Sequence, residues 1–249
     1  MPAGLSLAIL AVAAVVTSFV SGILGMAGGM ILMGILLAMM PVPAAMMLHG
    51  ITQLASNAWR ALLWRGDVDW RVFRGYAYGA LLALAAFASL HLVVGKPAAL
   101  IIMGLTPFIT LALPEKLHLN VERRGHPFSC GIVCTALSLM AGVSGPILDV
   151  FFVRSKMGRH AVVATKAMTQ SFTHILKIAY FGTLVAAAQR GAVEPWLAAM
   201  MVLLAFAGTT LSRRVLERMN DHHFRLLTRW TVMVIGVFYL GSGVLLLVR

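Results

Sequence analysis

Charged residues are scarce in this chain of 249 residues, and acidic ones are the scarcest: 11% of the residues are charged, with eight Asp and Glu against 20 Lys and Arg. Soluble domains carry about 25% charged residues, so the composition excludes an ordinary water-soluble domain. Hydrophobic residues make up 60% and form long runs, such as 5–24, 75–94 and 230–248. Runs of this length cross a bilayer as helices. The sequence therefore predicts an all-α integral membrane protein.

Cysteine is also scarce, and the motifs of several enzyme classes are missing. Cys130 and Cys134 lie four residues apart on one predicted helical face. Two ligands make no metal site, so we expect small-residue helix packing, with a redox pair as the alternative. No His-Glu-x-x-His motif, nucleophile elbow or phosphate-binding loop occurs. We therefore expect no enzyme, cofactor or metal, and the net charge of +12 reflects topology rather than nucleic-acid binding.

Two of the ten predicted helical segments are unusually short. Residues 29–40 and 145–155 do not cross a hydrocarbon core of about 30 Å at about 1.5 Å per residue. They follow glycine-rich runs at 25–29 and 142–146. Non-helical backbone at membrane depth requires surrounding protein or a water-filled cavity, so we expect a broken hairpin in each half. The ten segments are 5–24, 29–40, 44–64, 71–94, 98–113, 128–143, 145–155, 160–187, 195–212 and 223–248.

Basic residues are distributed unevenly among the predicted loops. Fourteen lie in the four loops 65–74, 114–127, 154–159 and 213–229, against three in the other connections and at the carboxyl end. Loops rich in Lys and Arg stay in the cytoplasm, which predicts a multi-pass membrane protein with both termini extracytoplasmic. Each half then becomes a glycine-broken hairpin, re-entrant or double-pass, plus three transmembrane helices. The predicted units are a first inverted repeat at 1–113, a cytoplasmic linker at 114–127 and a second inverted repeat at 128–249.

Three cations lie inside predicted spans, where charge is costly and usually functional. They are Arg60, Lys166 and Lys177. When the third segment is laid over the eighth with a shift of 117 residues, Arg60 falls on Lys177 and His49 on Lys166. The spacing puts each set on one helical face and indicates a duplicated polar stripe. The other coinciding positions are Thr52-Gln53 with Thr169-Gln170, Ser56 with Thr173, and Asn57 with His174.

The two stripes predict a substrate site, because inverted-repeat transporters bind substrate at the midplane beside broken helices. Fixed cations with hydroxyl and amide donors favour a small anion, and free N–H groups at the start of each short helix add positive potential. The predicted substrate-binding residues are Gln53, Asn57, Arg60, Lys166, Gln170, Thr173, Lys177, Gly28, Gly29, Ser144 and Gly145.

Structural roles compete with these assignments. Arg60 and Lys166 lie near helix ends, from which long cations reach the headgroups. Hydroxyl and amide side chains often join helices, and glycine runs permit close packing. His49 and His174 are candidates for proton coupling, since histidine changes charge near neutral pH, or for packing alone.

Asp149 is the acidic residue within an apolar run. It either forms a structural pair with Lys166 or Lys177, or carries a coupling proton. Its counterpart in the first half, near Met33, is apolar, so the two halves differ chemically.

Several motifs resemble those of the TauE/SafE family over nearly the whole chain. They are Ser-Gly-Ile-Leu-Gly-Met-Ala-Gly-Gly at 21–29, Arg-Gly-Asp-Val-Asp-Trp at 65–70, Leu-Met-Ala-Gly-Val-Ser-Gly at 139–145 and Val-Ala-Thr at 163–165. The resemblance implies export of sulfite or organosulfonates across the bacterial inner membrane. The chain departs from the family pattern at Met33-Gly34, where a proline is usual, and at Asp149.

The function predicted from the sequence is a secondary transporter, an exporter of small sulfur-containing anions by alternating access. A passive anion channel and a non-transporting membrane scaffold are the alternatives. The expected partners are the anion and the lipid bilayer, with a homodimer left open.

Overall fold

The computed structural model describes residues 3–24, 26–114, 117, 119–188, 193–216 and 221–248, and all regular structure in these ranges is helical. A 3-10 helix, Arg65–Asp67, joins the third and fourth α-helices. The α-helices are α1 (Ala3–Leu24), α2 (Ala27–Met39), α3 (Val42–Leu63), α4 (Trp70–Leu90), α5 (Lys96–Ala112), α6 (His126–Ala141), α7 (Gly145–Phe152), α8 (Arg159–Ala188), α9 (Pro195–Leu216) and α10 (Asp221–Val248).

The predicted segments all correspond to helices, with ends that differ by up to four residues. The largest differences are at α4, which ends at Leu90 instead of 94, and at α9, which continues to Leu216. His91 ends α4 because it adopts a left-handed backbone conformation, with φ of 50°. Four basic residues counted in the loop analysis lie outside the described residues: Lys116, Arg190, Arg218 and Arg249.

Both predicted helix breaks are present. Helix α2 has 13 residues and α7 has eight, which correspond to about 20 Å and 12 Å of helix. Gly142 ends α6 in the left-handed region, with φ of 82°, a conformation that glycine adopts without steric cost. Each half therefore has an apolar helix that stops inside the protein and a short helix that continues it.

Within the part of the chain that the structure describes, four helices are long and apolar enough to cross a membrane by length and composition: Gly4–Ile23, Trp70–Leu90, Pro195–Ser212 and Arg229–Val248. Helices α3 and α8 carry the polar stripes and pack against each other. Many of their polar side chains are buried, which places the polar part of the protein inside the helical bundle.

Four helix pairs account for most of the packing: α3 with α8, α4 with α6, α1 with α9, and α5 with α10. Glycine lies at the closest approaches. A Cβ on Gly104 of α5 would meet the backbone oxygen of Gly236 on α10, and one on Gly208 would meet the backbone of Val15 on α1. Small residues thus let backbones touch, as membrane helix pairs require.

The two cysteines lie in the α4–α6 contact. Both are free and buried, with their Sγ atoms 3.8 Å apart. Gly131 lies between them in sequence, and a Cβ there would collide with the backbone oxygen of Tyr76 on α4. This position agrees with the packing interpretation of the cysteine pair.

Three of the basic connections meet on one face of the molecule. Trp64 stacks on His160 with ring centroids 4.4 Å apart. The backbone N–H of Lys156 donates to Glu122 Oε2 at 2.6 Å, and Asn120 Nδ2 donates to the backbone oxygen of Arg154 at 2.9 Å. The connections at 64–69, 120–125 and 153–158 therefore lie on the same side.

Candidate functional site

A cavity of about 590 Å³ lies between the two helix breaks and the facing sides of α3 and α8. It extends from Gly142 and His49 along both stripes to Met157 and Arg159, near the face where the basic connections meet. Eleven predicted site residues line it: Gly29, His49, Gln53, Asn57, Arg60, Ser144, Gly145, Lys166, Gln170, Thr173 and His174.

Three predicted residues do not line this cavity. Gly28 is buried against α1, where a Cβ would collide with the backbone oxygen of Thr17. Asp149 forms an ion pair with Lys166. Lys177 is fully buried beyond the cavity wall.

Arg60 is held in the cavity by its own helix. Its Nη2 donates to Asn57 Oδ1 at 2.8 Å, and Asn57 Nδ2 donates to the backbone oxygen of Gln53 at 2.8 Å. The Nε of Arg60 is buried and has no hydrogen-bond partner among the described residues. A buried donor without an acceptor is costly, and Arg60 itself lines the cavity.

The α8 stripe contributes donors in two different situations. Thr173 is already committed, because its Oγ1 lies 2.7 Å from Tyr76 Oη and also bonds the backbone oxygen of Thr169. His174 stands edge-on to His49, with ring centroids 5.8 Å apart. Its Nδ1 is buried and has no partner among the described residues. His174 therefore adds a second unsatisfied polar atom to the cavity wall.

Lys166 lies at the cavity wall with its ammonium on Asp149. Its side chain is 23% exposed and that of Asp149 is 45% exposed. The pair is therefore partly open to solvent, and its attraction is modest. Of the pairings considered for Asp149, the structure has the one with Lys166.

Lys177 belongs to a hydrogen-bonded chain at the inner end of the cavity. Its Nζ is 2.7 Å from His49 Nδ1 and donates to the backbone oxygen of Gly142 at 2.9 Å. His49 Nε2 is 3.0 Å from the backbone oxygen of Gly29. A carbonyl only accepts, so Nε2 carries the hydrogen and Nδ1 accepts from Lys177.

An apolar part of the wall was not predicted from the sequence. It includes Val162 and Val163 on α8. Together with Arg159, these residues continue the stripe toward the amino end of the helix. Extending the i, i+3, i+4 pattern back from Lys166 would have found them. Met26 and Met157 complete this part of the wall, and no sequence signal singled them out.

The lining combines cations and neutral donors with a number of apolar side chains. Among the described residues, no group of three or more His, Cys, Asp and Glu side chains is placed to hold a metal ion. Arg60, Lys166, His174 and the amides of Gln53 and Gln170 are instead side chains suited to an oxyanion.

The fold and the cavity define a polytopic helical membrane protein with a central polar site between broken helices. A family model described as sulfite exporter TauE/SafE matches residues 10–239. The chain belongs to this family, which is one of membrane transporters for sulfite and related sulfur anions. No match was found among curated proteins or among solved structures.

Proposed function

We propose that the protein is a secondary transporter that exports a small sulfur-containing oxyanion, sulfite or an organosulfonate, by alternating access. The observation that carries the proposal is the cavity wall, which includes the two cations Arg60 and Lys166 of the polar stripes together with His174. Arg60 and His174 each have a buried nitrogen without a hydrogen-bond partner among the described residues. Membrane-embedded charge that lines a cavity marks a substrate path.

The donor set favours an oxyanion over a halide or a cation. Arg60 offers an unused Nε–H, and a guanidinium binds two oxygens of one anion through parallel hydrogen bonds. Lys166 lies one helix away and provides a point charge for a third oxygen. The cavity volume of about 590 Å³ is within the range of small-molecule sites. The apolar wall of Val162 and Met157 leaves room for the short carbon chain of an organosulfonate.

Inverted repeats are part of this proposal, and the helix contacts support them. Exchanging each helix with the one five positions later carries the α4–α6 contact onto α9–α1, α3–α9 onto α8–α4, and α2–α10 onto α7–α5. The pairs α3–α8 and α5–α10 map onto themselves. At the residue level, Ser56 bonds Thr209 on α9 at 2.9 Å, and its aligned residue Thr173 bonds Tyr76 on α4.

The cavity in this state faces the side that we assign to the cytoplasm. Arg159 lies at its outer end and follows a basic connection, while the opposite end is closed by buried side chains. A cavity that is open on one side only favours alternating access over a passive channel, which needs a continuous path.

The first prediction concerns Arg60. Replacing it with Met should reduce sulfite and methanesulfonate flux in proteoliposomes by about tenfold or more, because one charge-assisted hydrogen bond contributes about 1.5–3 kcal/mol. Arg74→Met is the matched control, since Arg74 is exposed and its Nε donates to the backbone oxygen of Trp70. Equal flux in wild type and Arg60→Met, with both folded, contradicts the site assignment.

The same liposomes separate transport modes. A carrier saturates with anion and shows counterflow, whereas a channel does neither. A scaffold gives no flux in the wild type.

A further inference from the structure

Lys177 is the most deeply buried charged side chain of the two stripes, with 0% exposure. The acceptors that the described residues supply to its amine, the His49 ring and the Gly142 carbonyl, are both neutral. An ammonium at membrane depth is costly and is normally compensated by an opposite charge. Its present partners fill two of three N–H directions.

The hydrogen-bonded chain through Lys177 joins both helix breaks. It runs from the Gly29 carbonyl in α2 through His49 and Lys177 to the Gly142 carbonyl at the end of α6. Gly29, His49 and Gly142 line the cavity while Lys177 does not. This chain is therefore the inner wall of the cavity.

Beyond this wall, α3 continues for about two turns. Ala45 lies one turn past His49 on the same face of α3 and is fully buried, as is Phe181 one turn past Lys177 on α8. From His49 to the first residue of α3, Val42, is about 10 Å along the helix axis. On α3, about two turns therefore separate this wall from the amino end of the helix, while α8 continues from Lys177 to Ala188.

The aligned cations Arg60 and Lys177 differ in their exposure to the cavity. The shift of 117 residues relates Lys177 to Arg60 and His49 to Lys166. Arg60 and Lys166 face the cavity, whereas Lys177 is sealed behind it. If the two halves exchange conformations, Lys177 and His49 become the exposed pair.

We propose that Lys177 and His49 form a second anion subsite, occluded in this state, which receives the same oxyanion when the cavity opens toward the opposite face. The inference rests on the proposed transport function. Opening separates the two helix breaks and removes the Gly142 carbonyl from Lys177. The anion then takes that place, accepts from the ammonium and supplies the missing negative charge. His49 reorients its Nε2–H from Gly29 to the anion.

The test uses a reporter cysteine behind the wall. Ala45→Cys is made in a Cys130→Ala, Cys134→Ala background and reconstituted in vesicles. Modification by a membrane-impermeant maleimide is followed from the face opposite the basic loops, with and without saturating methanesulfonate, which does not react with the reagent.

The expected result is slow modification of residue 45, about tenfold slower when methanesulfonate is present on that face. Adding Lys177→Met should abolish this protection, and Lys177→Arg should retain it. Lys156→Met is the matched control, because Lys156 is exposed in a connecting loop.

Two outcomes overturn the subsite. One is absence of modification from that face in the reporter protein, and the other is unchanged protection after Lys177→Met. Failure of the transport proposal looks different: methanesulfonate then binds neither the wild type nor Lys177→Met, and Arg60→Met has no effect. If Lys177→Met does not fold, Lys177→Gln replaces it, because its amide still donates to His49 without carrying charge.

Discussion

At the scale of single residues, the three cations of the polar stripes differ in their hydrogen-bond and ion-pair partners. Arg60 is braced by a neutral amide, Lys166 is paired with a carboxylate, and Lys177 has neutral acceptors. In the proposed site, an anion can bind Arg60 directly, whereas it must compete with Asp149 for Lys166. The local partner thus sets how available each charge is.

This competition gives a prediction for Asp149. Changing it to Asn frees Lys166 and should tighten equilibrium binding of methanesulfonate by up to about fivefold, since a partly exposed ion pair contributes up to about 1 kcal/mol. Isothermal titration of purified protein measures the change. Glu122→Gln is the control, because Glu122 accepts a hydrogen bond from a surface loop and does not line the cavity.

The double variant Asp149→Asn, Lys166→Met should lose the gain. Weaker binding in Asp149→Asn would mean that the carboxylate supports the site, and the competition model would be wrong.

Periodicity predicted which residues share a helix face, but it did not give their depth. Positions 49, 53, 56, 57 and 60 were expected on one side of α3. All of them line the cavity except Ser56, which bonds Thr209 on α9 instead. Lys177 follows the same rule on α8 and still lies behind the wall. Which turn is sealed depends on how α3 and α8 cross, and that is a tertiary property without a local sequence signal.

At the scale of secondary structure elements, close helix contacts depend on missing side chains. The α4–α6 pair is the clearest case, because Gly131 and Gly79 each lie against the backbone of the other helix. Glycine lowers intrinsic helix stability by about 1 kcal/mol relative to alanine. Its presence here is therefore explained by packing.

Gly131→Ala should lower the apparent melting temperature in detergent, with a destabilisation of about 1–3 kcal/mol, because the added methyl group overpacks the contact. Gly241→Ala on α10 is the matched control: a Cβ there meets nothing within 4 Å. The control should be neutral or slightly stabilising. A Gly131→Ala protein as stable as Gly241→Ala would contradict the packing explanation.

The helix breaks were predictable because their cause is local. Gly142 ends α6 through its positive φ, which the glycine-rich run permits. The end of α4 was not predictable from the sequence, since the residue in the left-handed conformation there is His91 and few histidines adopt that conformation.

At the scale of the whole molecule, the basic connections are the basis of the predicted orientation. Three of the four lie on one face and contact each other. The sequence predicted a common side from charge alone, but their mutual contacts depend on the assembled bundle.

The topology is testable with two glycines that have room for a side chain. Gly158 lies in a basic connection with nothing within 4 Å of an added Cβ, and Gly95 lies between α4 and α5 with only Pro97 nearby. In a cysteine-free background, Gly158→Cys should label from the cytoplasmic side only and Gly95→Cys from the opposite side only. Labelling of both from one side would exclude the inverted arrangement.

Under the proposed alternating-access mechanism, Asp149 has a kinetic consequence. Two structurally equivalent halves would give facing states of equal free energy. A carboxylate present in one half, where residues near Met33 in the other are apolar, removes that degeneracy. The empty carrier then rests with one face open, and its half-saturation concentrations on the two faces differ. Detailed balance still ties their ratio to the maximal rates, so the gradients alone decide the direction of net flow.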